Sequence, residues 1–239
     1  MSDIKIIADT KDYVVIDKPA GLLVHGAPHI KEPTLVDWLL QKYPEVGQVG
    51  EDLERPGIMH RLDKDVSGLM VIAKNHSSYE SLKDQFKNRI ITKEYTALVY
   101  GQVLKEEDEI DFPIKRSTKG YKMAAVPKNF SEENEDEKVR LAATTFSVIK
   151  KFINFTLLKV IIKTGRTHQI RVHLHAYGHP IVGDSLYNNK QSKIKNKKYN
   201  LGRVFLASTH LEFNDLNGER QSFSAGLPED LTTFLTQIK

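Results

Sequence analysis

Two stretches of the sequence crowd together side chains that can do chemistry. In the first, His60-Arg61-Leu62-Asp63-Lys64-Asp65-Val66-Ser67-Gly68, two carboxylates, an arginine and a histidine fall in a polar interval between apolar runs. Carboxylates on a loop held by rigid elements suit nucleophilic attack or proton transfer. The same spacing equally suits a solvated turn in which Asp63 and Asp65 cap backbone amides. In the second, Gly165-Arg166-Thr167-His168-Gln169-Ile170-Arg171-Val172-His173-Leu174-His175, a strand pattern ends in Gly-Arg and a helical pattern opens, with Thr167 placed as its N-cap. His168, Arg171 and His175 recur at three and four residues on one polar face, opposite Ile170, Leu174 and Tyr177. Such a face can hold a carboxylate from another segment. The histidine spacing also fits zinc ligation, but Arg171 would repel a divalent cation and no glutamate stands where a zinc hydrolase helix keeps its base. No metal is therefore expected, and a plain solvent-facing helix is the remaining alternative.

The elements that must position these groups can be read from periodicity. Residues 4–8 and 13–17 are β-branched runs separated by Asp9-Thr10-Lys11-Asp12, the pattern of two short strands and a turn. Leu35, Val36, Leu39, Leu40 and Tyr43 recur at helical spacing and stop at Pro44. Residues 44–57 read as a loop, and 58–74 as a strand pattern on both sides of the polar interval, so that His60 to Gly68 becomes a turn between strands. Tyr79, Leu82 and Phe86 predict a helix capped by His76-Ser77-Ser78. Residues 92–100, 141–149, 155–163 and 204–213 predict strands, 167–177 a helix stopped by Gly178, and 227–238 a closing helix behind Pro228. The class is α+β. In the strand at 92–100, Lys93, Tyr95 and Ala97 share a face opposite Glu94, Thr96 and Leu98, and spacing does not choose the buried one.

A chain of 239 residues with 40% hydrophobic and 28% charged residues can build an ordinary core, most simply as one extended domain over residues 1–239. The 35 basic against 31 acidic residues give a net charge of +4, which favours an anionic partner. The signs are segregated: 131–138 is acidic, and 190–198 holds five lysines that suit either a phosphate grip or a solvated loop. With no cysteine, disulfides, thiolate metal sites and cysteine nucleophiles are excluded. Charges mixed into the first residues read as neither signal nor transit peptide, and no run of 18 apolar residues occurs, so a cytoplasmic protein without a membrane partner is expected.

The segments HRLDKDVSG (60–68), KEYTALVYG (93–101) and GRTHQIRVHLHAYGHPIVGD (165–184) resemble, in order, the signature segments of the RluA-type pseudouridine synthases. DKPAGLLVH (17–25) is similar to that family's opening catalytic segment and GLPEDL (226–231) to its closing one. There are two departures: Val66 stands where the family usually has threonine, and Leu206 where its Leu-His-Ala segment would place histidine. The resemblance implies a central, mainly antiparallel mixed sheet flanked by helices, without a small S4 RNA-binding domain ahead of it. It also implies isomerisation of uridine to pseudouridine in ribosomal RNA, transfer RNA or both, with no cofactor; a monomer is expected because the sequence shows no large extra apolar patch.

By the same resemblance Asp63 is the attacking carboxylate, at C1′ of the ribose or C6 of the base, and Arg171 forms an ion pair with it. Tyr95 lies beneath the base near the C5 proton, and Arg61 enters the gap left by a flipped nucleotide. His60, Lys18, Arg166 and Leu174 are carried over as substrate-binding and supporting residues, and the acidic run at 131–138 is expected to turn away from RNA. Two other functions compete: a catalytically silent RNA-binding protein of the same fold, and an RNA hydrolase using Asp63, Asp65 and a divalent ion.

Overall fold

The computed structural model describes residues 4–26, 32–117, 120, 122–126 and 139–239; the acidic run at 131–138 lies outside these described residues. In chain order the elements are strands β1 (Lys5–Asp9) and β2 (Tyr13–Lys18), helix α1 (Leu35–Lys42), a 3-10 turn (Pro44–Gln48), strand β3 (Ser67–Ala73) and helix α2 (His76–Lys87). Then follow β4 (Thr92–Tyr100), β5 (Glu107–Ile110), β6 (Ile114–Arg116), β7 (Met123–Ala125), β8 (Thr144–Lys151) and β9 (Phe155–Ile162). Helices α3 (Gln169–Ala176) and α4 (Lys190–Tyr199), strands β10 (Leu206–Asn214) and β11 (Arg220–Ser224), and helix α5 (Glu229–Gln237) complete the described chain. The chain divides into two compact units, Met1–Lys93 with Ser208–Gly226, and Glu94–Ala207 with Leu227–Lys239.

In the first unit the strands run in the order β1-β2-β3-β10-β11. β2 pairs antiparallel with β3 from Tyr13↔Ala73 to Lys18↔Gly68, and β10 with β11 from His210↔Ser224 to Asn214↔Arg220. Every residue of β3 is buried, and Val14, Val15, Ile16, Leu35, Leu39, Met70, Ile72 and Phe213 form the core beneath the helices. α1 opens with a capping box in which Thr34 and Asp37 exchange hydrogen bonds, and it ends before Pro44 as the pattern predicts. α2 begins one residue earlier than expected: Asn75, whose side chain accepts from Ser78 N–H, is its cap.

The polar interval 60–66 has a strand on one side only. Gly57, at φ +70, turns the chain so that its own N–H reaches Val49 O while its carbonyl accepts from Ala73 N–H. The amide of Val71 is taken by the ring of His60 (3.1 Å), so a side chain fills the place where a second strand was expected.

The second unit orders its strands β4-β9-β8-β5, all antiparallel, with β6 and β7 as a separate hairpin. β5, β6, β7 and β11 escape the sequence pattern because they are three to five residues long and, apart from the Met-Ala-Ala of β7, largely polar. The α+β class holds, with antiparallel sheet and flanking helices in each unit. The lysine run at 190–198 forms helix α4 instead of a loop, because Asn189 and Ser192 make a capping box and Asn200 closes the helix in the left-handed conformation. Among the described residues no helix is long and apolar enough to cross a membrane.

One glycine marks where the polar interval meets the sheet. Gly68 sits at φ +117, and a Cβ there would lie 2.2 Å from the Ser208 carbonyl oxygen and 2.5 Å from its nitrogen. Backbone atoms cannot swing aside as a side-chain tip can. Gly68→Ala is therefore expected to lower unfolding stability in urea by at least about 2 kcal/mol, against a few tenths for the same change at the open Gly218 turn beyond its φ cost.

Candidate active site

The loop carrying Asp63 is pinned from beneath by two side chains. Lys18, at the end of β2, is fully buried, and its ammonium donates to Pro19 O (2.8 Å), Leu22 O (2.8 Å) and Lys64 O (3.2 Å). A buried cation is tolerated only when its donors are satisfied, and here the satisfaction comes from backbone carbonyls of two segments, 19–22 and the Asp63 loop. The bond from Gly21 N–H to Lys64 O (2.8 Å) repeats the tie. Segment 22–24 is in turn fixed to α1, whose Leu35 and Val36 amides donate to Leu23 O and Val24 O. Lys18 is thus an internal brace of the loop.

His60 is the second brace. Its ring accepts from Val71 N–H and packs on Phe86 at 4.7 Å between centroids, and the Lys93 ammonium lies over the Phe86 ring at 5.4 Å from its centre. Burial, then the Lys93 charge, pushes the His60 pKa down to about 3, so the ring is neutral at physiological pH. Burial likewise lowers Lys93 to about 8. Leu62 and Val66 point into the core, Asp63 is half-buried, and Asp63 O accepts from Val66 N–H (3.1 Å) to close the turn. The valine found in place of threonine at position 66 is an apolar core contact. Arg61 is exposed and reaches His25 Nε2 at 2.6 Å. The loop therefore presents one half-buried carboxylate and one exposed guanidinium on a rigid base.

In the second unit, helix α3 starts one residue later than expected and in another way. Thr167 is exposed, and the N-cap is His168 in the left-handed conformation at φ 55 without a side-chain cap bond. Such a backbone costs a non-glycine residue about 1–3 kcal/mol. The turn is held by Gln169, whose Oε1 accepts from Thr164 Oγ1 (2.7 Å) and Arg166 N–H (3.0 Å) while Nε2 donates to Ala143 O and Thr144 Oγ1. The side chain of Arg166 is half-buried and donates to Leu141 O.

α3 is a buried helix, which rules out the solvent-facing alternative and leaves the reading of a face that holds a carboxylate from another segment. Ile170, Arg171, Val172, His173 and Leu174 are all buried, Leu174 completely. His173 is held between Thr144 Oγ1 (2.9 Å) and Phe112 O (2.8 Å), and burial lowers its pKa.

Arg171 is the charged centre of this unit, only 5% exposed. Its Nε donates to Asp184 Oδ2 (2.7 Å) and its Nη2 to Asp184 Oδ1 (2.9 Å), a two-pronged fork, and its guanidinium lies 5.2 Å from the Tyr187 ring centre. Asp184 is 1% exposed, and its Oδ1 also accepts from Leu186 N–H (2.8 Å) and Tyr187 N–H (2.9 Å). The Tyr187 hydroxyl accepts from Met123 N–H and meets His168 Nδ1 at 2.9 Å. Sequence reasoning found Arg171 but missed Asp184 and Tyr187, although both follow the Gly-His-Pro turn; their signal is an acid directly after a glycine at φ +77. Tyr95, on β4 opposite Val160, is 6% exposed, so the face it shares with Ala97 is turned inward. The residues carried over from the family pattern thus fall in two groups, Lys18, His60, Arg61 and Asp63 in the first unit, Tyr95, Arg166, Arg171 and Leu174 in the second. Among the described residues no cluster of His, Asp and Glu has metal-binding geometry.

Two outcomes follow from these braces. Asp184→Asn removes the charge facing a buried guanidinium and is expected to lower unfolding stability by about 3–5 kcal/mol, measured by urea titration. The His60 pKa is depressed on folding, so its contribution to stability is complete above about 6.5 and is lost as pH falls toward 3. The difference in Tm between wild type and His60→Gln should shrink over that window; a difference that stays constant would contradict a neutral ring bonded to the Val71 amide.

Residues 12–176 match the family model described as RNA pseudouridylate synthase. The chain is 35% identical over 237 residues to the uncharacterized RNA pseudouridine synthase YlyB of Bacillus subtilis (strain 168), covering 99% of this chain and 73% of the relative. It is 35% identical over 243 residues to ribosomal large subunit pseudouridine synthase D of Yersinia pestis, covering 98% of this chain and 70% of the relative. A solved structure titled human RNA Pseudouridylate Synthase Domain Containing 1 aligns with a TM-score of 0.75 over 97% of this chain and 87% of that one, at 23% identity, a likeness of fold. With the family model covering most of the sequence and relatives matching almost all of it, the chain belongs to the RNA pseudouridine synthases, which are isomerases.

Proposed function

We propose that the protein converts uridine to pseudouridine in large-subunit ribosomal RNA, with Asp63 as its catalytic carboxylate. Supporting the ribosomal substrate is the similarity to relatives named for the ribosomal large subunit. The observation that carries the catalytic reading is the loop at 60–66, where a half-buried carboxylate stands beside an exposed arginine on a base fixed by Lys18 and His60. Rigid placement of a nucleophile beside a group that engages RNA is what this reaction needs.

The reaction breaks the C1′–N1 bond, rotates the base, forms a C1′–C5 bond, and moves the proton lost from C5 so that N1 ends protonated; mass and oxidation state are unchanged. Asp63 supplies the attacking carboxylate, at C1′ or at C6. Arg171, held in one orientation by Asp184, serves the reaction as a fixed guanidinium. Tyr95 stacks under the base and stands near the C5 proton. A uridine in a stack hides C1′ and C5, so it must be extruded at a cost of a few kcal/mol, and Arg61 fills the vacancy with its planar guanidinium. In this reading His60 and Lys18 act through the loop, Arg166 faces the RNA, and Leu174 shapes the site from the core. In this reading the protein works as a cytoplasmic monomer.

Carbodiimide labelling of pseudouridine in ribosomal and transfer RNA, from cells with and without the gene, tests this reading. A site lost on deletion should return with the wild type and not with Asp63→Asn, whose rate is expected to fall by on the order of 10³-fold or more. No lost site in any RNA would favour the catalytically silent RNA-binding alternative.

A further inference from the structure

Helix α4 is a helix that local energetics do not favour. Lys190 opens it at the positive end of the helix dipole, and the pairs Lys190/Lys193, Lys193/Lys197 and Lys195/Lys198 set like charges three or four residues apart. Each such pair disfavours the helix, and ten residues are too few to hold a helix unaided. From 185 to 211 the sequence carries no Asp or Glu to offset these charges. Packing offers little return, since Ser192 is its only buried residue.

The inner side of α4 is nevertheless firmly attached. Asn196 accepts from the Tyr100 hydroxyl (2.7 Å) and Gly183 N–H (2.8 Å) and donates to Asp184 O (3.0 Å), and the Tyr199 ring meets Phe155 and Phe234 edge-on. Lys195 lies over the Tyr100 ring at 5.4 Å. At 100° per residue, Ser192, Asn196 and Tyr199 define the attached face, so Lys190, Lys193, Lys197 and Lys198 fan out on the opposite one, all exposed, around the 62% exposed Ile194. None of these four is in an ion pair among the described residues. One isolated isoleucine is too little apolar surface for a helix that lies in a membrane.

We propose that the outer face of α4 is a docking rail for the phosphodiester backbone of the RNA substrate, outside the nucleotide that reacts. Its attachment through Asn196 to the Gly183–Asp184 turn fixes this rail to the segment that grips Arg171. The proposal rests on the RNA-modifying reading above and names where that RNA is held.

Lys190, Lys193, Lys197 and Lys198 are replaced together by Gln, and in a second variant by Arg. Filter binding of an in vitro transcript of large-subunit ribosomal RNA is measured across a KCl series, with pseudouridine scored in the same samples. Each phosphate contact contributes about 0.7–0.9 to the slope of log affinity against log salt. The Gln variant should therefore lose about three from the slope and bind at least about tenfold more weakly at low salt, while the Arg variant keeps the wild-type slope. An unchanged slope in the Gln variant, or no binding of the transcript by wild type, overturns the rail. So does a Gln variant that loses affinity for anionic phosphatidylglycerol vesicles and not for RNA. Modification without a slope change sinks the rail alone; a slope change without modification sinks the catalytic reading and leaves α4 as an RNA-binding surface.

Discussion

A guanidinium cannot be taken out of water without a partner, and the second unit is organised around meeting that demand for Arg171. The fork to Asp184 supplies the opposite charge, and Asp184 is itself held by the amides of Leu186 and Tyr187. Those amides point inward because the chain turns sharply at Gly183, where a Cβ would lie 1.8 Å from Arg203 O. The other end of the pair is set by α3, whose start is fixed by Gln169 and by a left-handed His168. A buried pair of this kind adds little net stability by itself, but removing either partner is expensive. Its return is orientation: the guanidinium has one position, and Tyr187 stacks against it.

The first unit reaches the same end by other means. Lys18 offers an ammonium to three backbone carbonyls, and His60 offers a neutral ring nitrogen to a strand amide. In both, a side chain able to carry charge is spent on backbone geometry in the interior, and the loop above is left with Asp63 half-buried and Arg61 outside. The functional loop therefore anchors itself through buried Leu62 and Val66 and keeps its polar side chains for the outer surface.

Much of the scaffold was legible. β1, β2, β4 and β9, the α1 stop at Pro44 and the Gly178 stop follow from periodicity and capping rules that act over a few residues. What failed was whatever tertiary contact decides. The strand expected before Asp63 is replaced by the His60 ring, a bond across eleven residues. α3 reads as amphipathic because arginine and histidine are polar by type, yet Asp184, Thr144 and Phe112 O let Arg171 and His173 sit inside. The lysine run reads as a loop by composition, and becomes a helix through one Asn-Ser capping box and the Asn196 attachment. The family pattern pointed to Asp63, Tyr95 and Arg171, but the brace residues that fix them, Asp184 above all, have no signature that spacing alone can isolate.

The most direct test of this account is a double-mutant cycle on the buried pair, with Arg171→Met, Asp184→Asn and both together, reading unfolding stability and pseudouridine formation in the same proteins. If Asp184 exists to fix Arg171, the two changes are coupled by at least about 2 kcal/mol in stability, and every variant is as inactive as Arg171→Met. Additive stabilities, with Asp184→Asn turning over at the wild-type rate, would show that the carboxylate does not position Arg171 for the reaction.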